Sequence, residues 1–421
     1  MEKYWKFTIA SFIGVLLFAF DFELFLASIP GLIALFHFSL NEIDIINDTS
    51  FGISAIAAFS FGPLADKYGR KLLFMITILI YSIGSFFSAL SVSLIDFTFS
   101  RSVVSVGTGP DEPLGFTLTA ETAPPAKRGR QMLIVSIGFP LGQAIGAAIV
   151  YLFVLHSIYL PYVFFIGIMP ALFLLYMRKG LPETERFKDM EKARKEIEEN
   201  KKGVQTEYKI NTKELRKNSY KQLFDTDLRK KSILIAIYTT IIAGNVAISL
   251  IALPIYYVDI KHITFISTLS FEFISYAIAA IGYVIVATAG NKFGRRDIIT
   301  IFLILTFLSI FGIILATGIY VLIFNVLFIF FLFSQYAAWP FYVNEMYPTR
   351  VRASASTFGY GFQWLGNIIF PTTILTIVSI TIGNWFLAII TAMSIPILAS
   401  IIVAALLPKD NPTAVLEENA I

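Results

Sequence analysis

Long apolar runs separated by short polar breaks dominate this chain. A helix that crosses a bilayer takes about 20 mostly apolar residues, and runs of that kind fall at 6–35, 48–66, 72–95, 97–122, 130–155 and 160–178. Six more follow at 232–257, 267–290, 297–317, 319–344, 354–380 and 384–407. Between the two sets the sequence turns rich in Lys and Glu, with opposite charges four residues apart, a pattern that suits short solvated helices. The pattern predicts an all-α membrane protein with twelve transmembrane helices in two six-helix bundles. The first bundle is expected over 1–180, a cytoplasmic linker with short helices over 181–230, and the second bundle over 231–421. The opening run is too long and continuous for a cleaved leader and reads as the first span.

Composition agrees: 56% of the 421 residues are hydrophobic and 15% charged, with a mean hydropathy of +0.73. The Lys and Arg residues refine the picture, because short basic loops resist translocation. Of 33 such residues all but Arg101 and Lys261 fall before the first span, after the last, or in alternate loops. This predicts a multi-pass protein of the cell membrane with both termini cytoplasmic, and it explains the net charge of +4 without a nucleic-acid partner. There is no Cys, and the three His residues are scattered. Neither a phosphate-cradling glycine loop nor an HExxH helix is present. No catalytic residues, metal or cofactor are therefore expected, and the chain is not read as an enzyme.

Two short signatures recur at nearly one offset. Gly62-Pro-Leu-Ala-Asp66-Lys-Tyr-Gly69-Arg70-Lys71 is echoed by Gly290-Asn291-Lys-Phe-Gly294-Arg295-Arg296, with Gly294 lying 225 residues beyond Gly69. Glu121-Thr-Ala-Pro124 with Arg128 is echoed by Glu345-Met-Tyr-Pro348 with Arg352, an offset of 224. Matched spacing across unrelated motifs is what a duplicated six-span unit produces. These segments, together with LPETE after the sixth span, resemble the major facilitator superfamily over nearly the whole chain. That resemblance implies a gate of charged helix ends made by Asp66, Arg70, Glu121, Arg128, Arg295, Glu345 and Arg352. Partly exposed pairs of this kind contribute about 0 to 1 kcal/mol each, which suits a gate that opens and closes.

The same offset carries intramembrane polar residues onto one another: Asp21 onto Asn245, Arg101 onto Asn325, Asp111 onto Gln335 and Gln143 onto Asn367. Polar groups are costly against lipid, so recurring ones are expected to face a shared interior cavity. Ionisable groups cluster in the first half and amides in the second. This suggests that the first half handles protons through Asp21, Arg101 and Asp111 while the second holds a solute. Glu112, next to Asp111, reads as a packing contact near a proline break. The expected solute contacts are Gln143, Asn245, Gln335, Trp339, Gln363, Trp364 and Asn367.

Within the superfamily the chain is similar to the sugar porters. Phe18-Ala-Phe-Asp21 with Arg101, Gly142-Gln143, and Gln363-Trp364-Leu-Gly-Asn367 resemble their proton-linked and sugar-contacting segments. The seventh span departs from them, reading Thr239-Thr240-Ile-Ile-Ala-Gly-Asn245, and Gly107-Thr-Gly109-Pro-Asp111-Glu112-Pro113 resembles the phosphate, organic-ion and metabolite symporters. The expectation is a secondary transporter that works by alternating access, a proton-coupled symporter of a small polar solute, foremost a sugar. A symporter of an organic ion or phosphate and a passive sugar facilitator are the alternatives. Its partners are the solute, protons and the lipid bilayer, and it is read as a monomer.

Overall fold

The computed structural model describes residues 3–169, 173, 181–199, 219–257, 261–263, 265–375, 380 and 384–410. The first half contains α1 (Lys3–Phe36), α2 (Leu40–Tyr68), α3 (Arg70–Ala89), α4 (Leu94–Thr122), α5 (Pro125–Leu155) and a 3-10 segment, Leu160–Ile168, on the sixth crossing. Two short helices follow, α6 (Glu185–Glu198) and α7 (Ser219–Leu223). The linker residues between them lie outside the described residues. The second half contains α8 (Arg229–Ile255), α9 (Phe265–Phe293), α10 (Arg295–Leu315), α11 (Ile319–Ser334) with its continuation α12 (Trp339–Met346), α13 (Arg352–Ile368) and α14 (Trp385–Leu406). The molecule is an all-helical membrane protein with twelve crossings in two six-helix bundles, and no strand occurs among the described residues.

Seven of the described helices are long and apolar enough to cross a membrane on composition alone. Three that fall short, α2, α4 and α13, pack against one another at the centre of the molecule. There their polar residues meet protein instead of lipid, as the cost of polar groups in hydrocarbon requires. α2 starts earlier than its apolar run. Ser39 caps it, accepting from the Glu42 N–H at 3.3 Å while the Glu42 carboxylate accepts from the Ser39 N–H at 2.7 Å. This capping box carries the helix through residues 40–48, which hydropathy alone assigns to an outer loop.

The duplication is visible as geometry. A Cβ built on Gly142 of α5 would stand 2.2 Å from the Leu16 carbonyl oxygen of α1, and one on Gly366 of α13 would stand 2.1 Å from the Thr240 carbonyl oxygen of α8. Both partners differ by 224 residues, so the repeat carries its tightest backbone contact from one half to the other. Gly138 and Gly146 extend the first contact along α5, with sites 2.8 Å from the Phe12 carbonyl oxygen and 2.8 Å from the Glu23 Cβ. Small residues four apart let two helix backbones approach in this way.

Candidate functional site

At the end of the bundle that carries the basic loops, the halves are tied together. Asp66 receives hydrogen bonds from the Ser354 N–H at 3.0 Å and the Ser354 hydroxyl at 2.6 Å, while its other oxygen pairs with Arg70 at 3.0 Å. Arg70 also donates to the Thr349 carbonyl at 3.2 Å and reaches Glu121 at 3.4 Å. Arg352 meets Glu121 from the opposite half at 3.7 Å, and Arg128 faces Glu345 electrostatically across the same interface. Within the second half Arg295 pairs with Glu345 at 3.0 Å and with Asp410 at 3.3 Å.

All seven expected gate residues are thus brought together, and all are buried. The expectation of partly exposed pairs is corrected: these charges sit at protein depth, where stripping one of its partner is costly. α6 backs the layer, with Arg194 donating to the Asp66 carbonyl at 2.7 Å and Thr184, just ahead of the helix, donating to Glu121 at 3.0 Å. Glu183 accepts from the Lys71 N–H at 3.2 Å at the start of α3, and burial pushes its carboxyl above the usual range.

At the opposite end the halves part around a cavity of about 340 Å³, within the size range of small-molecule sites. Its wall uses α1, α2, α4 and α5 from one half, reaching Ile33 near the end of α1 and Asp44 near the start of α2, and α8, α9, α11 and α13 from the other. Ten aromatic side chains line it, among them Phe18, Phe22, Phe139, Tyr283, Tyr336 and Trp364. Trp364 stacks on Phe51 at 5.7 Å and meets Phe22 edge-on at 6.0 Å. Four amides, Asn47, Gln143, Gln363 and Asn367, and four acids, Glu23, Asp44, Glu112 and Glu272, interrupt the aromatic surface. Among the described lining residues there is no Lys, Arg or His.

Four of the expected solute contacts, Gln143, Gln363, Trp364 and Asn367, stand on this wall; Asn245, Gln335 and Trp339 do not. Asn245 donates to the Met393 carbonyl at 2.6 Å, Gln335 accepts from the Tyr238 hydroxyl at 2.6 Å, and Trp339 packs on Tyr238 with ring centroids 4.5 Å apart. The expected proton groups also lie behind the wall. Asp21 pairs with Arg101 at 3.3 Å and accepts from the Ser85 hydroxyl, and Asp111 accepts from the Thr77 hydroxyl at 2.6 Å. The Arg101 guanidinium lies over the Phe25 ring, 4.6 Å from its centroid.

Helix geometry accounts for the displacement. Successive residues point about 100° apart around an α-helix. When Glu23 faces the cavity Asp21, two positions back, faces the bundle interior; Glu112 likewise displaces Asp111, and Tyr336 displaces Gln335. The offset identified interior polar positions without fixing which neighbour met the cavity. Two sequence readings are corrected. Glu112 is a wall residue close to Tyr360, and not merely a helix-packing contact. The second half also has an ionisable wall residue, Glu272, so titratable groups are not confined to the first. Its signal is legible in Ser270-Phe-Glu272-Phe-Ile-Ser: a lone carboxylate within an apolar span.

Comparison with known proteins places this architecture. The chain is 27% identical over 369 residues to the putative niacin/nicotinamide transporter NiaP of Bacillus subtilis strain 168, covering 87% of this chain and 86% of that one. It is 32% identical over 136 residues to the 4-hydroxybenzoate transporter PcaK of Pseudomonas aeruginosa, covering 31% and 29%. The fold overlays a structure of the proton:xylose symporter XylE bound to 6-bromo-6-deoxy-D-glucose with a TM-score of 0.77, covering 99% of this chain and 98% of that one at 17% identity. The family model of the Major Facilitator Superfamily matches residues 11–371, and the chain belongs to that superfamily of transporters.

Proposed function

We propose that this chain is a secondary transporter for a small planar aromatic solute without net negative charge, moved with protons by alternating access. The observation that carries this reading is the cavity wall, rich in rings, supplied with amides and acids, and lacking a basic side chain among its described residues. Ring faces stack on a flat solute and are worth about 0.5 to 1.5 kcal/mol per pair beyond their buried area. The amides of Gln143, Gln363 and Asn367 offer both donors and acceptors to its substituents. An unprotonated anion would meet only carboxylates, and burying it unpaired costs several kcal/mol. The names of the similar transporters, niacin/nicotinamide and 4-hydroxybenzoate, support an aromatic cargo.

In this reading the tied end is cytoplasmic and closed, and the cavity opens outward across the cell membrane. The Asp21–Arg101 pair is the proton switch: protonating Asp21 releases Arg101, which the Phe25 ring partly accommodates. The three amides beside the Trp364 indole favour a second reading, a sugar, because amides fork to vicinal hydroxyls and an indole stacks on a sugar face.

Competition binding to purified protein separates the readings. Nicotinamide is expected to compete, nicotinate to compete only as the medium is acidified, and xylose not to compete. Binding of xylose without nicotinamide would establish the sugar reading instead. For coupling, Asp21→Asn in proteoliposomes is expected to retain solute exchange and lose accumulation driven by a proton gradient; undiminished accumulation would remove Asp21 from the proton path.

A further inference from the structure

Two carboxylates face the cavity from opposite halves, Glu23 on α1 and Glu272 on α9, within electrostatic reach of one another. Glu23 is 2% exposed, and its Oε2 makes no hydrogen bond of ordinary geometry. Its polar neighbour Gln143 is 1% exposed, and neither of its amide atoms makes one. Tyr276, one turn beyond Glu272, stands in the field of both acids, its ring set edge-on to Phe333 at 5.5 Å. The Arg101 guanidinium is engaged by Asp21 at 3.3 Å behind the wall. The cavity thus contains two desolvated carboxyl groups and an amide whose atoms make no hydrogen bond of ordinary geometry, with no basic side chain among its described lining residues to answer them.

A metal ion is a poor match. Calcium takes six to eight oxygen ligands and magnesium demands an octahedral shell, and among the described residues no group of three or more His, Cys or acidic side chains is placed to hold a metal. A compact organic cation suits the same chemistry. Its charge answers the two carboxylates, its N–H groups reach the Gln143 oxygen, and its apolar body lies against rings that attract cations through their faces.

We propose that Glu23 and Glu272 together bind a positively charged nitrogen of the transported solute, an ammonium or a ring nitrogenium, gripping it from both halves at once. The inference rests on the aromatic-solute reading above and adds the sign of the charge. Since each half contributes one carboxyl group, a bound cation favours the ionised form of both, with their protons leaving to water, and draws the two walls together. The solute's charge therefore supplies the differential contact that closes the cavity, as any ligand-driven change of state requires.

Three probes of one ring size and different charge test it: benzylammonium, benzyl alcohol and benzoate, titrated at neutral pH into the purified full chain. Benzylammonium is expected to bind at least about tenfold more tightly than benzyl alcohol, with benzoate the weakest. Glu23→Gln and Glu272→Gln, which keep side-chain shape, are each expected to weaken benzylammonium by about tenfold or more and to shift benzyl alcohol by less than about threefold. Equal binding of ammonium and alcohol to the unaltered protein would overturn the cation site while leaving the aromatic reading intact. Equal weakening of both probes in the variants would also overturn it, showing a packing role. Binding of none of the three would take the aromatic reading down as well.

Discussion

Leu16 and Gly142 meet so closely that a single methyl group decides whether α1 and α5 can pack. Gly142→Ala and Gly366→Ala place a Cβ 2.2 and 2.1 Å from a carbonyl oxygen, atoms of helix backbone that cannot swing aside. Each substitution is expected to cost about 1 to 3 kcal/mol through overpacking, read as a lower unfolding temperature in detergent. Gly52→Ala, whose Cβ would meet only Ile368 at 3.8 Å, serves as the control and should change little. The buried pair behind the wall is a harsher case. Arg101→Ala leaves Asp21 desolvated with only the Ser85 hydroxyl beside it, and a loss of about 3 to 5 kcal/mol is expected. At this scale the sequence was legible in pairs, since the repeat offset follows from spacing, and the Asp21–Arg101 contact from residue type and the resemblance to the sugar porters. It was illegible in direction: one step along a helix separates Glu112, on the wall, from Asp111, turned toward α3. Hydropathy does not resolve a 100° rotation.

Among the helices, α4 and α13 show how a defect in one becomes a contact for the other. Pro113 lacks an N–H, so the carbonyl of Gly109, four residues earlier, loses its partner within α4. The Trp364 indole N–H of α13 donates to that carbonyl at 3.3 Å, across the interface between the halves. The Ser356 hydroxyl of α13 donates in turn to the Pro113 carbonyl at 3.5 Å. Pro113→Ala restores an N–H to α4 and gives the Gly109 carbonyl a competing partner inside its own helix. Because a hydrogen bond is worth about 1 kcal/mol net, the variant is expected to depopulate the present arrangement several-fold. Loss of quenching of Trp364 fluorescence, followed with the other three Trp residues replaced by Phe, would report it; an unchanged spectrum would show that the bond has no weight. The helices themselves were largely legible, because long apolar runs admit few alternatives. The early start of α2 was not, since it depends on a capping box between Ser39 and Glu42 and not on hydropathy.

In the whole molecule, the gate layer is one network in which Glu121 joins Arg70 of its own half to Arg352 of the other, and Asp66 joins Arg70 to Ser354. The second half repeats the arrangement, with Arg295 reaching Asn291 at 3.2 Å and Glu345 at 3.0 Å. Only the first copy carries a carboxylate where the second has Asn291, and it is Asp66 that bonds across to Ser354. Closure at this end should therefore depend more on Asp66 than on Asn291. Asp66→Asn removes a charge-assisted interaction worth about 1.5 to 3 kcal/mol. A loss of about 2 kcal/mol shifts a two-state population roughly 30-fold, enough to make the opposite state visible. The chain has no native Cys, so spin labels at Lys67→Cys and Lys292→Cys, both exposed at the tied end, can be read without background. A second, longer distance is expected to appear for Asp66→Asn and to stay minor for Asn291→Ala. Equal responses would mean that the two copies share the closing work, and that the cross-half bonds of Asp66 carry no special part of it.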